Sequence, residues 1–238
     1  MASEIMILLG NTQKKMSGYA VLMNFRFMNL CTEADPSALL PVTVTIDNEI
    51  FDLEAVAQTA ISQENQFLII PKEQEYIFAI CKAIAKAHPE FNIERQLMPE
   101  NREDTNASEE DKQQIILCTI PDINKDRHDL IMEGIKLLYS ETKEKINKTF
   151  AISSAKMTNM MQGESLENIE EVKKNLQETY DLHNDMCNEY REKKEKKVED
   201  AYQRYLQKQD AEEEAKHEEE EARGEKVGFQ MNLEQEEP

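Results

Sequence analysis

His183 and Cys187 are the nearest approach in this sequence to a catalytic or metal-binding pair. Residues four apart on an α-helix share a face, where an imidazole and a thiolate could hold a metal ion or act as base and nucleophile. The pair stands alone, however. None of the four histidines belongs to an HExxH-type motif, and the four cysteines, Cys31, Cys81, Cys118 and Cys187, show no CxxC spacing. The pattern predicts a core pair and no metal site. Glycine-rich phosphate loops and nucleophile elbows are also absent from the sequence. No enzymatic activity, cofactor or small-molecule substrate is therefore expected, and the scattered cysteines fit free thiols in a reducing compartment.

Charge is the other source of chemistry. The net charge is −20; residues 207–238 hold twelve acids against four bases and account for −8, so the remainder is also acidic at −12. A protein held by nucleic-acid phosphates needs a concentrated basic face, which must here be small. Arg127, Lys143, Lys145 and Lys148 are the candidates, and with Glu141 and Glu144 interleaved they also suit an ordinary solvated helix face. Residues 1–32 carry Glu4 against Lys14, Lys15 and Arg26, compatible with organellar targeting but without the Arg- and Ser-rich character of a clear transit peptide. No apolar run is long enough to span a membrane, and nothing indicates secretion. The sequons at Asn106 and Asn147 are incidental.

The elements that position these residues follow from hydrophobic spacing. Met16, Ala20, Met23, Phe27 and Leu30 mark one face of a helix that Asp35-Pro36 ends. Val42–Ile46 alternates as a strand, Asp47-Asn48 is a turn, and Gln66–Pro71 reads as a second strand. Glu73 to about Ala87 predicts a helix with Ile77, Ile80, Cys81, Ile84 and Ala85 on one side. A polar loop over about 97–112 precedes a strand at Ile115–Ile120. Two long amphipathic helices follow. The first has a seam of Ile131, Ile135, Leu138, Ile146, Phe150, Met157 and Met160, interrupted by Thr142 and Ser153. After Gly163, the second runs through Ile169, Val172, Leu176, Tyr180, His183, Cys187, Tyr190, Val198 and Tyr202.

The expected class is α+β: an elongated antiparallel three-helix bundle with a small, β-rich α/β domain inserted after the first helix. The first helix falls in 1–40, the insert in 41–121 and the other two helices in 122–206, with hinges at Pro36, Pro41 and Pro121. Residues 207–238 form an acidic tail, partly helical or disordered.

This order of segments resembles the ribosome recycling factors from about residue 14 to 206. Asp35–Leu40 resembles the family's Ser/Asn-Pro-x-x-Leu hinge, Ile50–Ala57 its stretch ending in Leu-x-x-Leu-Ala, and Phe67–Pro71 its apolar strand. Ile80–Ile84 resembles its Glu-Lys-Ala-Ile helix, and Thr119–Leu130 its Pro-x-Leu-Thr-x-Glu-Arg-Arg-x-x-Leu entry to the second bundle helix. The resemblance implies a non-enzymatic, L-shaped factor that binds the large ribosomal subunit at the subunit interface after termination and works with a translocase GTPase. A divergent member of organellar, mitochondrial translation is expected. The family grips rRNA with arginines at two places, and both depart here. Laid without gaps, Glu33 occupies the arginine of the Thr-Gly-Arg-Ala-Ser/Asn-Pro motif; Ile146, Thr149 and Phe150 occupy those of the Val-Arg-Asn-Ile/Val-Arg-Arg run. These departures support an alternative in which the fold is reused as a structural or assembly subunit of a large mitochondrial complex, bound to proteins and not to rRNA. At its helical spacing Phe150 is expected in the core.

Overall fold

The structure is a computed structural model that describes residues 2–98 and 113–234, with side chains described over 4–98 and 113–218. Three helices, α1 (Ala2–Met28), α4 (Lys125–Met160) and α5 (Leu166–Glu234), form the bundle. Ile5 of α1 clusters with Met157, Met161 and Leu176, whereas Phe27 clusters with Ile131, Ile135, Val198 and Ala201. Helix α4 is therefore antiparallel to α1 and α5, and the 27 residues of α1 span about 40 Å. Asn124 opens α4 by accepting the Arg127 amide on its side chain, an N-cap worth about 1 kcal/mol. Between α4 and α5 the chain reverses at Gly163, whose φ of 92° strains any residue with a Cβ.

The apolar seam is where the spacing places it, and its two polar interruptions are satisfied. Thr142 Oγ1 donates to the Leu138 carbonyl at 2.8 Å. Thr12 Oγ1 donates to the Leu8 carbonyl at 2.8 Å, so Ser153 Oγ, 2.7 Å away and buried with it, donates to Thr12. A buried bond between α1 and α4 fixes their register, since sliding either helix would strand the buried Ser153 hydroxyl.

Between α1 and α4 lies the inserted domain. Strands β1 (Thr43–Ile46) and β2 (Glu49–Asp52) form a hairpin whose turn residues, Asp47 and Asn48, have φ of 50° and 68°, the conformation that Asp and Asn tolerate best after glycine. After the short helix α2 (Leu53–Val56), strands β3 (Ala57–Gln63), β4 (Gln66–Pro71), β5 (Asn92–Leu97) and β6 (Gln114–Thr119) form an antiparallel sheet ordered β3-β4-β6-β5. Helix α3 (Ile77–Ala87) adds Ile77, Ile80 and Ile84 to the domain core, with Phe67, Ile69, Ile116, Cys118 and Ile120. Cys118 is fully buried, and loss of water pushes its thiol up to about 12, an inert packing role.

Several expectations change. Among its described residues the insert holds six strands where the sequence marked three, and the helix expected from Glu73 begins at Ile77 after a 3-10 turn at Gln74–Tyr76. Ala85 is exposed, and Ala83 packs inward instead. Leu97 belongs to β5, while Pro99–Lys112 and the Asn106 sequon lie outside the described residues. The domain boundary shifts from residue 40 toward Met28, because Cys31, Ala34, Ala38 and Leu39 belong to the α/β core. The segment 1–32, which composition made compatible with targeting, supplies α1 with its buried Ile5, Met16, Ala20, Met23 and Phe27. Helix α5 continues into the acidic tail as far as Glu234. No helix among the described residues is long and apolar enough to cross a membrane.

Candidate nucleic-acid interface

The joint between bundle and domain is built by the end of α1, the loop to β1, the end of α3 and the start of α4. Asp35 accepts from the Ser37 amide at 2.9 Å and from its hydroxyl at 2.6 Å, seating Pro36 at the first position of a 3-10 turn. The Ser37 hydroxyl bond holds the Asp35 carboxyl below its usual range against the opposing effect of burial. Pro41 follows this turn. Across the joint, Arg127 donates one guanidinium nitrogen to the Pro121 carbonyl and another to that of Cys31 at 2.8 Å. Arg127 is thus a clamp between two connections, with its donors turned inward.

Glu33 is not an isolated acid on a basic surface. Its carboxylate meets Lys197 at 3.2 Å and Arg204 at 3.4 Å, both on α5. Lys197 also reaches Asp35 at 3.8 Å, and Arg204 reaches Glu64 at 3.3 Å. Beside Glu33, a cleft of about 200 Å³ is lined by Cys31, Glu33, Asp35, Lys193, Lys194 and Lys197, among others. Burial pulls Lys194 down to about 8, with neighbouring Lys197 adding to the fall and Cys31, Glu33 and Asp35 opposing it. The sequence reading missed these lysines. Their signal was the run Arg191-Glu192-Lys193-Lys194-Glu195-Lys196-Lys197, the densest basic stretch in the chain.

On α4 the candidates separate. Lys143 donates to Asn184 Oδ1 at 2.6 Å and lies 5.8 Å from the Tyr139 ring centroid; Arg191 lies 4.5 Å from the same centroid. Lys145 and Lys148 are exposed. Ile146 is fully buried in the bundle core, a place from which no side chain touches RNA. Phe150 is half-buried with its ring centroid 4.5 Å from that of Tyr180, and Thr149 Oγ1 donates back to the Lys145 carbonyl. Asn147 accepts from Tyr180, so this stretch is held to α5 by packing as well as by a hydrogen bond. The structure therefore brings Lys145 and Lys148 to the surface of α4, and it engages Arg127 and Lys143 in contacts of their own.

His183 and Cys187 do not converge on a site. His183 Nδ1 donates to the Thr179 carbonyl at 2.7 Å, one turn back on the same helix. Burial pushes the Cys187 thiol up, partly offset by Lys143. A different cluster forms at the joint, where Cys31, His88 and Glu90 bring one ligand atom each within 4.8 Å of one another. Burial opposes charge on His88, but its bonds to Cys31 and Glu90 overcome that penalty and raise the imidazole to about 10.

A three-helix bundle entered and left through one clamped joint, with an antiparallel-sheet domain inserted there, is the architecture of the ribosome recycling factors. The family model described as ribosome recycling factor matches residues 25–198, and the chain belongs to that family. No curated protein matches the sequence itself. Among solved structures, the solution structure of a ribosome recycling factor has a TM-score of 0.65 at 15% identity, covering 83% of this chain and 98% of that one. The T. thermophilus ribosome recycling factor, in a structure described as models of that factor and the E. coli elongation factor G bound to the E. coli post-termination complex, has a TM-score of 0.54 at 16% identity, covering 82% of this chain and 98% of that one.

Proposed function

We propose that this chain is a recycling factor of mitochondrial translation, binding the large ribosomal subunit at the subunit interface after termination and acting with a translocase GTPase. The observation that carries the reading is the family match, which runs from the last turn of α1 through the whole insert and α4 into the first half of α5. The T. thermophilus relative's description, bound with elongation factor G to a post-termination complex, supports both partners. The family's factors work by binding, and no catalytic step is assigned here. Lys145 and Lys148 supply phosphate contacts on α4, and Lys193 and Lys194 supply a second basic edge at the joint. Lysines serve as point charges without the bidentate fork of arginine, so the grip is weaker and more salt-dependent. The mitochondrial assignment draws on the charge of residues 1–32, three bases (Lys14, Lys15 and Arg26) against the single acid Glu4.

Co-sedimentation with large subunits across a salt series tests this. Lys145→Glu with Lys148→Glu should weaken binding at least tenfold and flatten the slope of log K against log salt by about two. Absent binding, or binding indifferent to salt and to both charges, overturns the proposal. The capture of Lys197 and Arg204 by Glu33 favours a second reading, a structural or assembly subunit of a large mitochondrial complex, because it removes positive charge where the family carries arginine. Native co-purification of a fixed protein set without rRNA would select that reading.

A further inference from the structure

We propose that Cys31, His88 and Glu90 form a zinc-binding site on the domain side of the joint. The three residues meet where the domain joins the bundle: Cys31 follows the end of α1 and packs in the α/β core, and His88 and Glu90 follow the end of α3. Zinc takes thiolate, imidazole and carboxylate together, with a water completing a tetrahedron.

The geometry favours a shared cation over a set of hydrogen bonds. Cys31 Sγ lies 3.9 Å and Glu90 Oε1 3.5 Å from the same nitrogen, His88 Nδ1. One Nδ1 proton cannot serve both neighbours well at those lengths. Two ligand atoms on a tetrahedral zinc stand about 3.3–3.6 Å apart, from Zn–S of about 2.3 Å and Zn–N of about 2.0–2.1 Å. The two contacts to Nδ1 are within a few tenths of an ångström of those separations, and the three ligand atoms all lie within 4.8 Å of one another, so a rotation of the Glu90 side chain toward Cys31 completes the site. Surface-lying Glu90 is free to supply it, while Cys31 and His88 are buried.

The surroundings prepare the ligands. His88 Nε2 donates to the Ala38 carbonyl at 3.0 Å, which directs Nδ1 toward Cys31 and Glu90. A backbone carbonyl on the far nitrogen is a common outer-shell partner of a metal-bound histidine. The ring is further fixed by stacking on Phe91, centroids 4.4 Å apart and planes 7° from parallel. The Cys31 thiol donates to the Met28 carbonyl at 3.3 Å, a bond given up when zinc displaces the thiol proton. Arg127, clamped on the Cys31 carbonyl, opposes a second cation, but two anionic ligands outweigh it. On binding, the Cys31 thiol proton and the proton on His88 Nδ1 leave to solvent.

This site is independent of ribosome binding. Its test uses the purified full chain, stripped with chelator and titrated with Zn²⁺, and separately with Co²⁺ as a spectroscopic probe. One equivalent should bind, with a cobalt–thiolate charge-transfer band and tetrahedral ligand-field bands. Cys31→Ser should abolish the charge-transfer band, and Glu90→Gln should lower affinity at least tenfold, with circular dichroism checking the fold of each. In the unaltered protein, Zn²⁺ should shield Cys31 from alkylation in peptide mapping while Cys81 stays reactive. Failure to bind zinc, cobalt spectra without a thiolate band, or alkylation of Cys31 unaffected by zinc would overturn the site.

Discussion

At the joint, Glu33 sits between Lys197 and Arg204, whereas on α4 Ile146 turns wholly into the core and, of the charged residues beside it, Lys145 and Lys148 stay outside. Both places are where the family carries arginine, and they have changed by different physics. At the joint the sign of the charge on α1's side is reversed and answered by bases on α5, so the local balance survives with the donors moved. On α4 nothing is exchanged; a buried apolar seam occupies the aligned position and the charge is thinned. The first change can be undone by a substitution at the surface. The second cannot, because restoring the aligned residue means placing a charge inside the bundle.

The largest effect should come from attempting that restoration. Ile146→Arg should destabilise by about 3–5 kcal/mol, the cost of an unpaired buried charge, read from the midpoint of urea denaturation. Ile146→Val, which keeps the seam apolar, should cost only about 0.5–1.5 kcal/mol. If Ile146→Arg is as stable as the unaltered chain, the α4 stretch is surface and the contrast between the two places collapses.

Next in size is Lys194, the buried base of the joint. Its ammonium titrates near 8 in the folded protein because water is excluded, against about 10.4 in an unfolded chain. Below 8 both states hold the proton and stability does not vary on this account. Between about 8 and 10.4 the unfolded state holds more proton, so stability should climb with pH. Lys194→Met should stabilise the protein on the order of 2 kcal/mol at pH 7 and erase that climb, measured by denaturation in chelator so that Cys31, Lys197, Glu33 and Asp35 are the charged or titratable neighbours. A climb that persists in Lys194→Met would show that another titrating group causes it and that Lys194 is not the buried charge of the joint.

The sequence carried the bundle far better than the joint. Met16, Met23, Ile135 and Leu176 repeat at helical spacing because they face one continuous core, and Gly163 marks the reversal. Edge strands β3 and β5 escaped because their outer residues are exposed: Asn92–Leu97 is mostly polar and pairs on one side only. The joint was harder for a different reason. Glu33 and Lys197, like Cys31 and His88, meet through the third dimension, and no spacing rule links them until α1 is laid along α5 and α3 is folded onto the loop. Thr12 and Ser153 looked like flaws in a seam until their mutual bond made them its register pin.

The smallest effect in stability, and the most direct on function, belongs to Glu33→Gln. Its two ion pairs are partly exposed, the side chains of Glu33, Lys197 and Arg204 retaining 33%, 42% and 48% of their accessibility, so their loss should cost about 0.5–1 kcal/mol. Arginine at this position would face Lys197 and Arg204 with like charge, which makes glutamine the cleaner probe. With the acid gone, Lys197 and Arg204 are released toward any phosphate backbone that docks at the joint. Binding to large subunits should strengthen several-fold at low salt, and its salt slope should steepen by about one to two. The gain should vanish in Glu33→Gln with Lys197→Gln and Arg204→Gln. Unchanged binding would mean that these α5 bases are spent on the joint, and that Lys145 and Lys148 carry the RNA contact by themselves.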